Sequence, residues 1–368
     1  MLGAVKGRNV VKWTAIMALL IAAVGVFTLW RRVDARVKRL LEPTNHLYVG
    51  YADLPEKTQG VQLEPFTIAG WDGVPVQACL VRRTHVEEEL TPRQLALMDR
   101  LAGGAELKDL QEIDYALVCV DWDHGIRSAL PLAEELAAAG ITCVLWEPRG
   151  SHSTRRWCTH GLHESKDIPL IINELEKRTG RSGLLLAGVG SGFGAGLMLQ
   201  AAAAEPRLRL IVAIDPTASL NKILKRAHVG TLMRELIGMR MNQLTGLEPF
   251  DIAAVKSAAL IPREVPVLVV YDAREGSAGD DAVGIYTQLQ SDARRFITPR
   301  SAADEPDATT RTIIYTHEGG TREVQQRVEV DLVNDAEAIS AEILHWLNDQ
   351  VRPLQELPTP TSISPTHD

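Results

Sequence analysis

Apolar positions along this chain follow three distinct patterns. Residues 13–30 are a continuous run without a charge, WTAIMALLIAAVGVFTLW. As a helix it covers about 27 Å, close to the thickness of a hydrocarbon core. Beyond residue 60 the pattern alternates, with 61–68 and 74–81 flanking Asp72 and Gly73, a two-residue turn signal. These two segments are expected to pair as a hairpin. Then come short runs apolar on both faces, at 116–120, 141–146, 184–187, 210–214 and 267–270, with 311–315 expected as the last strand. Helical spacing marks 129–139, 167–178, 194–204 and 335–349, and a helical excursion fills roughly 218–260. Strands of this kind alternating with amphipathic helices predict an α/β fold, with a mostly parallel, doubly wound sheet covered on both faces.

The segments divide the chain as follows. Residues 1–12 flank a transmembrane helix at 13–30, 31–60 form a basic juxtamembrane linker, 61–353 the α/β domain with a short helical cap, and 354–368 a disordered tail rich in Pro, Ser and Thr. Within the domain, 84–113 is polar, with Thr91 and Pro92 as a helix start and Gly103 and Gly104 as a stop, and reads as a surface insertion. Trp13 and Trp30 would lie at the two membrane interfaces, where indole rings favour the headgroup boundary. The run is longer than a signal-peptide core and ends in arginines without a small-residue cleavage site, so it is expected to remain as a single-pass anchor. Lys6, Arg8 and Lys12 precede it, while Arg31, Arg32, Arg36, Lys38 and Arg39 follow it. The larger positive group leans the main domain towards the cytoplasm.

Composition narrows the partners. The formal charge of −8 excludes a basic nucleic-acid-binding face as the organising feature, so no nucleic-acid partner is expected. Cys79, Cys119, Cys143 and Cys158 contain no CxxC pair and read as structural free thiols. His152, His160 and His163 cluster around Cys158, but their spacing matches no closed zinc site, so no metal is assigned.

Three motifs carry candidate chemistry. The strand ALVCV leads into DWDHGIRS, the strand ITCVLW into EPRGSHS, and LLLAGVGSGFGAGLMLQ makes a strand, a glycine-dense turn and a helix. In this order and spacing the chain resembles the α/β-hydrolase family of serine esterases, lipases and aminopeptidases. The resemblance covers roughly 61–350. It implies an oxyanion loop at His124 and Gly125, with the Ile126 and Ser191 N–H groups as donors. Glu147 through Ser153 match the family's D-x-R-G-x-G-x-S in part, with Glu for Asp and His152 for the second glycine. The family's acid falls at Glu275, among Arg274, Asp280 and Asp281, and its histidine at His317 after RTIIYT. His345 lies inside the last helix pattern and fits this role poorly.

The nucleophile departs from the family. With Gly188 and Gly192 in the two small positions of a nucleophile elbow, the residue between them is Gly190, which has no side chain. Ser191 stands one step away, flanked by the larger Val189 and Phe193. Three functions follow. One is a membrane-anchored hydrolase-like protein that has lost its nucleophile and binds a small acyl or carboxylate ligand, or a partner protein. The second is an active serine ester or acyl hydrolase using Ser191, His317 and Glu275. The third is a dinucleotide binder through Gly190, Gly192 and Ala195, which match G-x-G-x-x-A, with Asp215 as the ribose acid. The first two need no cofactor, and none is assigned.

Overall fold

The structure, a computed structural model, describes residues 2–42, 57–58, 60–84, 110, 112–119, 126–149, 157–246, 248, 254–271, 279–292, 294–299, 310–316, 323–329, 331–333 and 336–355. Ten strands form one sheet. They are β1 (Lys57–Thr58), β2 (Val61–Ala69), β3 (Pro75–Arg83), β4 (Tyr115–Cys119), β5 (Cys143–Trp146), β6 (Leu186–Ser191), β7 (Leu208–Ile214), β8 (Val267–Val270), β9 (Arg294–Pro299) and β12 (Asp331–Val333). Their spatial order is β1-β2-β3-β5-β4-β6-β7-β8-β9-β12. The expected hairpin is present, with Ile68 opposite Val76 and Phe66 opposite Ala78. From β5 to β12 every pairing is parallel.

Helices α2 (Ile126–Ala138) and α9 (Ala336–Gln355) cover one face, while α3 (Ile168–Thr179), α4 (Phe193–Ala202) and α8 (Gly279–Gln288) cover the other. Strand alternation sorts the core between them. In β4, Leu117 and Cys119 join the α3/α4 side, and Ala116 and Val118 join the α2/α9 side. Large apolar side chains buried this completely stabilise the fold by about 1.5–3 kcal/mol each. Helix α9 continues past 353 to Gln355. Leu354, read from sequence as the first residue of the tail, is buried and its carbonyl accepts from Arg209.

Two sequence expectations are corrected in the sheet. Residues 310–316 do form a strand, β10 (Thr310–Thr316), but it pairs only with β11 (Glu323–Glu329) in a separate two-stranded ribbon. The strand next to β8 is β9, which opens on two arginines and so lacks the apolar signal of a buried strand. The second correction concerns β6, which runs to Ser191 and not to Ala187. Gly188 and Gly190 lie inside it, paired with Leu117 and Cys119 of β4. Glycines that read as turn signals are here strand residues required by a close neighbour.

At the N-terminus, α1 (Leu2–Leu41) is one continuous helix containing the whole apolar run. Residues 13–27 are exposed along it. Its last turns dock on the cap, which is built from α5 (Leu220–Arg226), α6 (Thr231–Thr245) and α7 (Ala254–Ala258). Val33, Val37, Leu40 and Leu41 pack into one cluster with Leu220, Leu224, Ile237 and Met241. Arg240 Nε donates to Asp34 Oδ1 at 2.7 Å, and the guanidinium stacks over Trp30. The basic segment after the apolar run is therefore a helix fixed to the domain over residues 31–41.

Candidate active site

The turn between β6 and α4 has its apex at Gly192, with φ 56° and ψ −117°. That backbone conformation strains any residue with a β-carbon. Gly192 N donates to the Ile214 carbonyl at 2.9 Å, and its own carbonyl accepts from Thr217 N and Gly196 N, so neighbours on both sides hold the turn. Gly190 faces the first turn of α4. A β-carbon there would lie 2.5 Å from Ala195 N, and closer still to the carbonyl carbon and oxygen of Gly194. Gly190 and Gly194 are thus the small residues on either side of the apex.

The elbow occupies 190–194, two residues later than the 188–192 frame read from sequence. Gly190, assigned there to the nucleophile position, is a small flanking residue, and the apex is another glycine. Gly188 is less constrained, because its nearest neighbours are the flexible ends of Met198 and Ile211. Ser191 is the final residue of β6 and half-buried. Strand alternation puts its side chain on the Ala187 and Val189 side, facing away from α4.

Of the other sequence candidates, Ile126 opens α2, which follows β4 at the same edge of the sheet as the elbow. His124, Gly125, Glu275 and His317 lie outside the described residues. His317 follows β10 in the sequence, and β10 is not a strand of the main sheet. His345 lies within α9, as expected. Asp281, a sequence neighbour of Glu275, is fully buried. Its carboxylate accepts from Ala218 N at 3.1 Å and Lys222 Nζ at 2.8 Å, tying α8 to the start of α5.

A polar network that sequence reasoning missed lies along the same edge. Strand β2 is antiparallel to β3, and β3 to β5, so the β2–β3 turn falls at the C-terminal ends of β5 and β6. Arg149, just past β5, is buried and bidentate to Asp167, with Nε–Oδ2 at 2.8 Å and Nη2–Oδ1 at 2.7 Å. Its Nη1 reaches Asp72 Oδ2 at 2.7 Å, and its guanidinium stacks on Trp71. Burial works against ionising Asp72, but the Arg149 hydrogen bond and charge and the Val74 N–H outweigh it and hold the carboxyl below its usual range. In the sequence Arg149 stands out only as part of a motif and Asp72 only as a turn residue.

The 157–167 segment is closed on itself by a buried carboxylate. Glu164 accepts from Thr159 N, Thr159 Oγ1 and Gly161 N at 2.6–2.8 Å. Burial nonetheless pushes its carboxyl above the ordinary value. Of the residues that suggested a metal cluster, His152 lies outside the described residues and the other three are engaged in packing. Cys158 is buried and its N–H donates to the Leu41 carbonyl at 2.8 Å. His160 sits edge-on to Phe193 at the elbow, and burial pushes its pKa down to about 4 against a bond to the Leu40 backbone. His163 meets Trp71 edge-on at 4.7 Å, with burial and the Lys166 and Arg149 charges lowering its pKa. A cavity of about 360 Å³ opens here, lined by Trp71, Asp72, Arg149, Trp157, His163 and Leu244 among others. That volume is in the range of small-molecule sites.

No family model and no curated protein matches the sequence. Among solved structures, an esterase of Pyrococcus furiosus superposes with a TM-score of 0.51 at 13% identity, covering 85% of this chain and 99% of its own. Pyrococcus horikoshii acylaminoacyl peptidase gives 0.45 at 12% identity, over 66% of this chain and 37% of its own. A cold-adapted esterase from an Arctic intertidal metagenomic library gives 0.38 at 12%, over 66% and 85%. The strand order, the glycine elbow after β6 and the superposition along the whole length of the first of these agree: the chain has the α/β-hydrolase fold.

Proposed function

We propose that this is a membrane-anchored α/β-hydrolase-fold protein whose elbow carries no nucleophile, and that it binds rather than cleaves. Its ligand is a small acyl or carboxylate compound, or a partner protein presenting such a group. The observation that carries this reading is Gly192 at the apex of the turn. Acyl transfer in this fold needs a side-chain oxygen or sulfur at that point, and glycine supplies neither. Backbone donors around the turn can still polarise a carbonyl or hold a carboxylate.

The anchor is the apolar helix over residues 13–30, with a mean hydropathy of 2.1 in its most apolar window and no protein packed around that window. The arginines that follow it support a cytoplasmic main domain.

The competing reading, an ester or acyl hydrolase using Ser191, has one supporting feature: a serine adjacent to the apex, in a fold shared with the Pyrococcus furiosus esterase. Its weakness is that Ser191 belongs to the strand. A dinucleotide site has less support, because Phe193, Gly194 and Ala195, the first turn that would receive the pyrophosphate, are buried. Hydrolysis of p-nitrophenyl butyrate by the full-length protein in detergent micelles tests the proposal. The expected rate is the background rate, identical for wild type and Ser191→Ala. Turnover that Ser191→Ala abolishes would reject it.

A further inference from the structure

Outside the apolar span, five large hydrophobic side chains are strongly exposed among the described residues, and two of them, Leu232 and Met239, lie on the cap helix α6 at 70% and 53% exposure. They are seven residues apart, two turns on one side of the helix. Together with the exposed Gln243 they make a mixed stripe on α6, whereas Leu236 is half-buried and packs against the buried seam. Ile237 and Met241 form that seam, packed in the cluster that holds the end of α1.

The position of this stripe relative to the membrane follows from Arg240. At about 100° per residue, Arg240 lies between the buried seam and the stripe, on the same side of α6 as Leu236. Arg240 reaches Asp34 and stacks over Trp30, the last residue of the apolar run. The edge of α6 that bears Arg240 is therefore the edge nearest the span, at the level where Trp30 would meet the headgroups. The opposite edge carries Thr231, Arg234, Glu235 and Asn242, with Arg234 bonded to Asn221 and Thr231. The side of α6 that bears Arg240 thus exposes Leu232, Met239 and Gln243, whose Oε1 accepts from Arg240 Nη1, while the other side is polar.

We infer that α6 is an interfacial helix. Leu232 and Met239 rest in the headgroup and upper acyl region of the bilayer that α1 enters, and Arg240 sits at the level of the lipid phosphates. This arrangement follows the chemistry of helices that lie in a membrane surface. It rests on the membrane-anchor reading and extends it, because the domain is then held at the bilayer by its cap as well as by its span. The cap beside the elbow would be pressed against lipid, so a lipidic ligand would have a short path from bilayer to site.

The test uses the full-length chain in nanodiscs of phosphatidylcholine and phosphatidylglycerol. A bimane label is attached to a single introduced cysteine in L232C, M239C, E235C or V24C, the four native cysteines being buried. Lipids brominated on the acyl chains report contact with the bilayer, and aqueous iodide reports contact with water. The expected result is that bromolipids remove most of the emission at 24, 232 and 239 and leave 235 bright, while iodide does the reverse. If 232 and 239 respond to iodide as 235 does while 24 responds to bromolipid, the anchor stands and the interfacial helix is refuted. If 24 itself responds to iodide, the anchor reading fails and this inference fails with it.

Discussion

Gly190→Ala is the perturbation that most sharply probes the elbow. The added β-carbon would sit 2.5 Å from Ala195 N and nearer still to Gly194. Ordinary contact between such atoms is about 3.5–4.0 Å, so strand and helix must part by an ångström or more. Neither element yields readily. Gly190 is paired on both sides, with Cys119 and Ala213, and the first turn of α4 is tied to the apex by Gly196 N to Gly192 O. Overpacking of this kind costs about 1–3 kcal/mol, and a clash with backbone belongs at the top of that range. The stiffer unfolded chain returns about 0.4–1 kcal/mol, leaving a net loss of about 2 kcal/mol. Gly188→Ala is the control, since its β-carbon meets Met198 Sδ at 2.9 Å and Ile211 Cδ1 at 3.0 Å, both movable side-chain ends. Its cost should be about 1 kcal/mol or less. Urea unfolding of the detergent-solubilised protein, followed by tryptophan fluorescence with an unchanged m-value, measures both. A Gly190→Ala variant as stable as wild type, or a Gly188→Ala variant the less stable of the two, would refute the 190–194 frame.

Arg149→Met leaves the buried Asp167 carboxylate without its bidentate partner and should destabilise the domain by about 3–5 kcal/mol, read by the same unfolding assay. Asp72 has its folded pKa below the unfolded value of 3.8, so its contribution is present above that pH and lost as pH falls through the folded value. Asp72→Asn should therefore flatten the acid limb of a stability-against-pH curve below about pH 4.5, and an unchanged limb would contradict the ion pair. Val37→Asp places a charge in the wholly buried seam between α1 and the cap. It should expose residues 31–42 to limited proteolysis at a protease dose that leaves wild type intact.

Much of the fold was legible because buried parallel strands announce themselves. The runs in β4, β5, β7 and β8 are apolar on both faces, and the helices between them show clear spacing. The hairpin was legible for a different reason, the Asp72 and Gly73 turn. What misled was glycine, which has two uses. Gly188 and Gly190 looked like a turn because glycine tolerates unusual dihedrals, but they lie in a strand because α4 passes too close for a β-carbon. That choice depends on packing between residues 190 and 194, which no local pattern records. Strand β9 was hidden by Arg294 and Arg295, and the Arg149–Asp72–Asp167 network by sequence separations of 77 and 18 residues. The alternation of apolar strands with amphipathic helices, by contrast, led to the right fold.

The central claim is that the elbow's apex is Gly192 and that Ser191 beside it is not a nucleophile. A fluorophosphonate probe, with intact-mass analysis and peptide mapping of the full-length protein, tests this directly. The account predicts that wild type remains unmodified at Ser191 at every probe concentration that labels an active serine hydrolase in the same tube. A stoichiometric adduct mapped to Ser191, lost in Ser191→Ala, would contradict it.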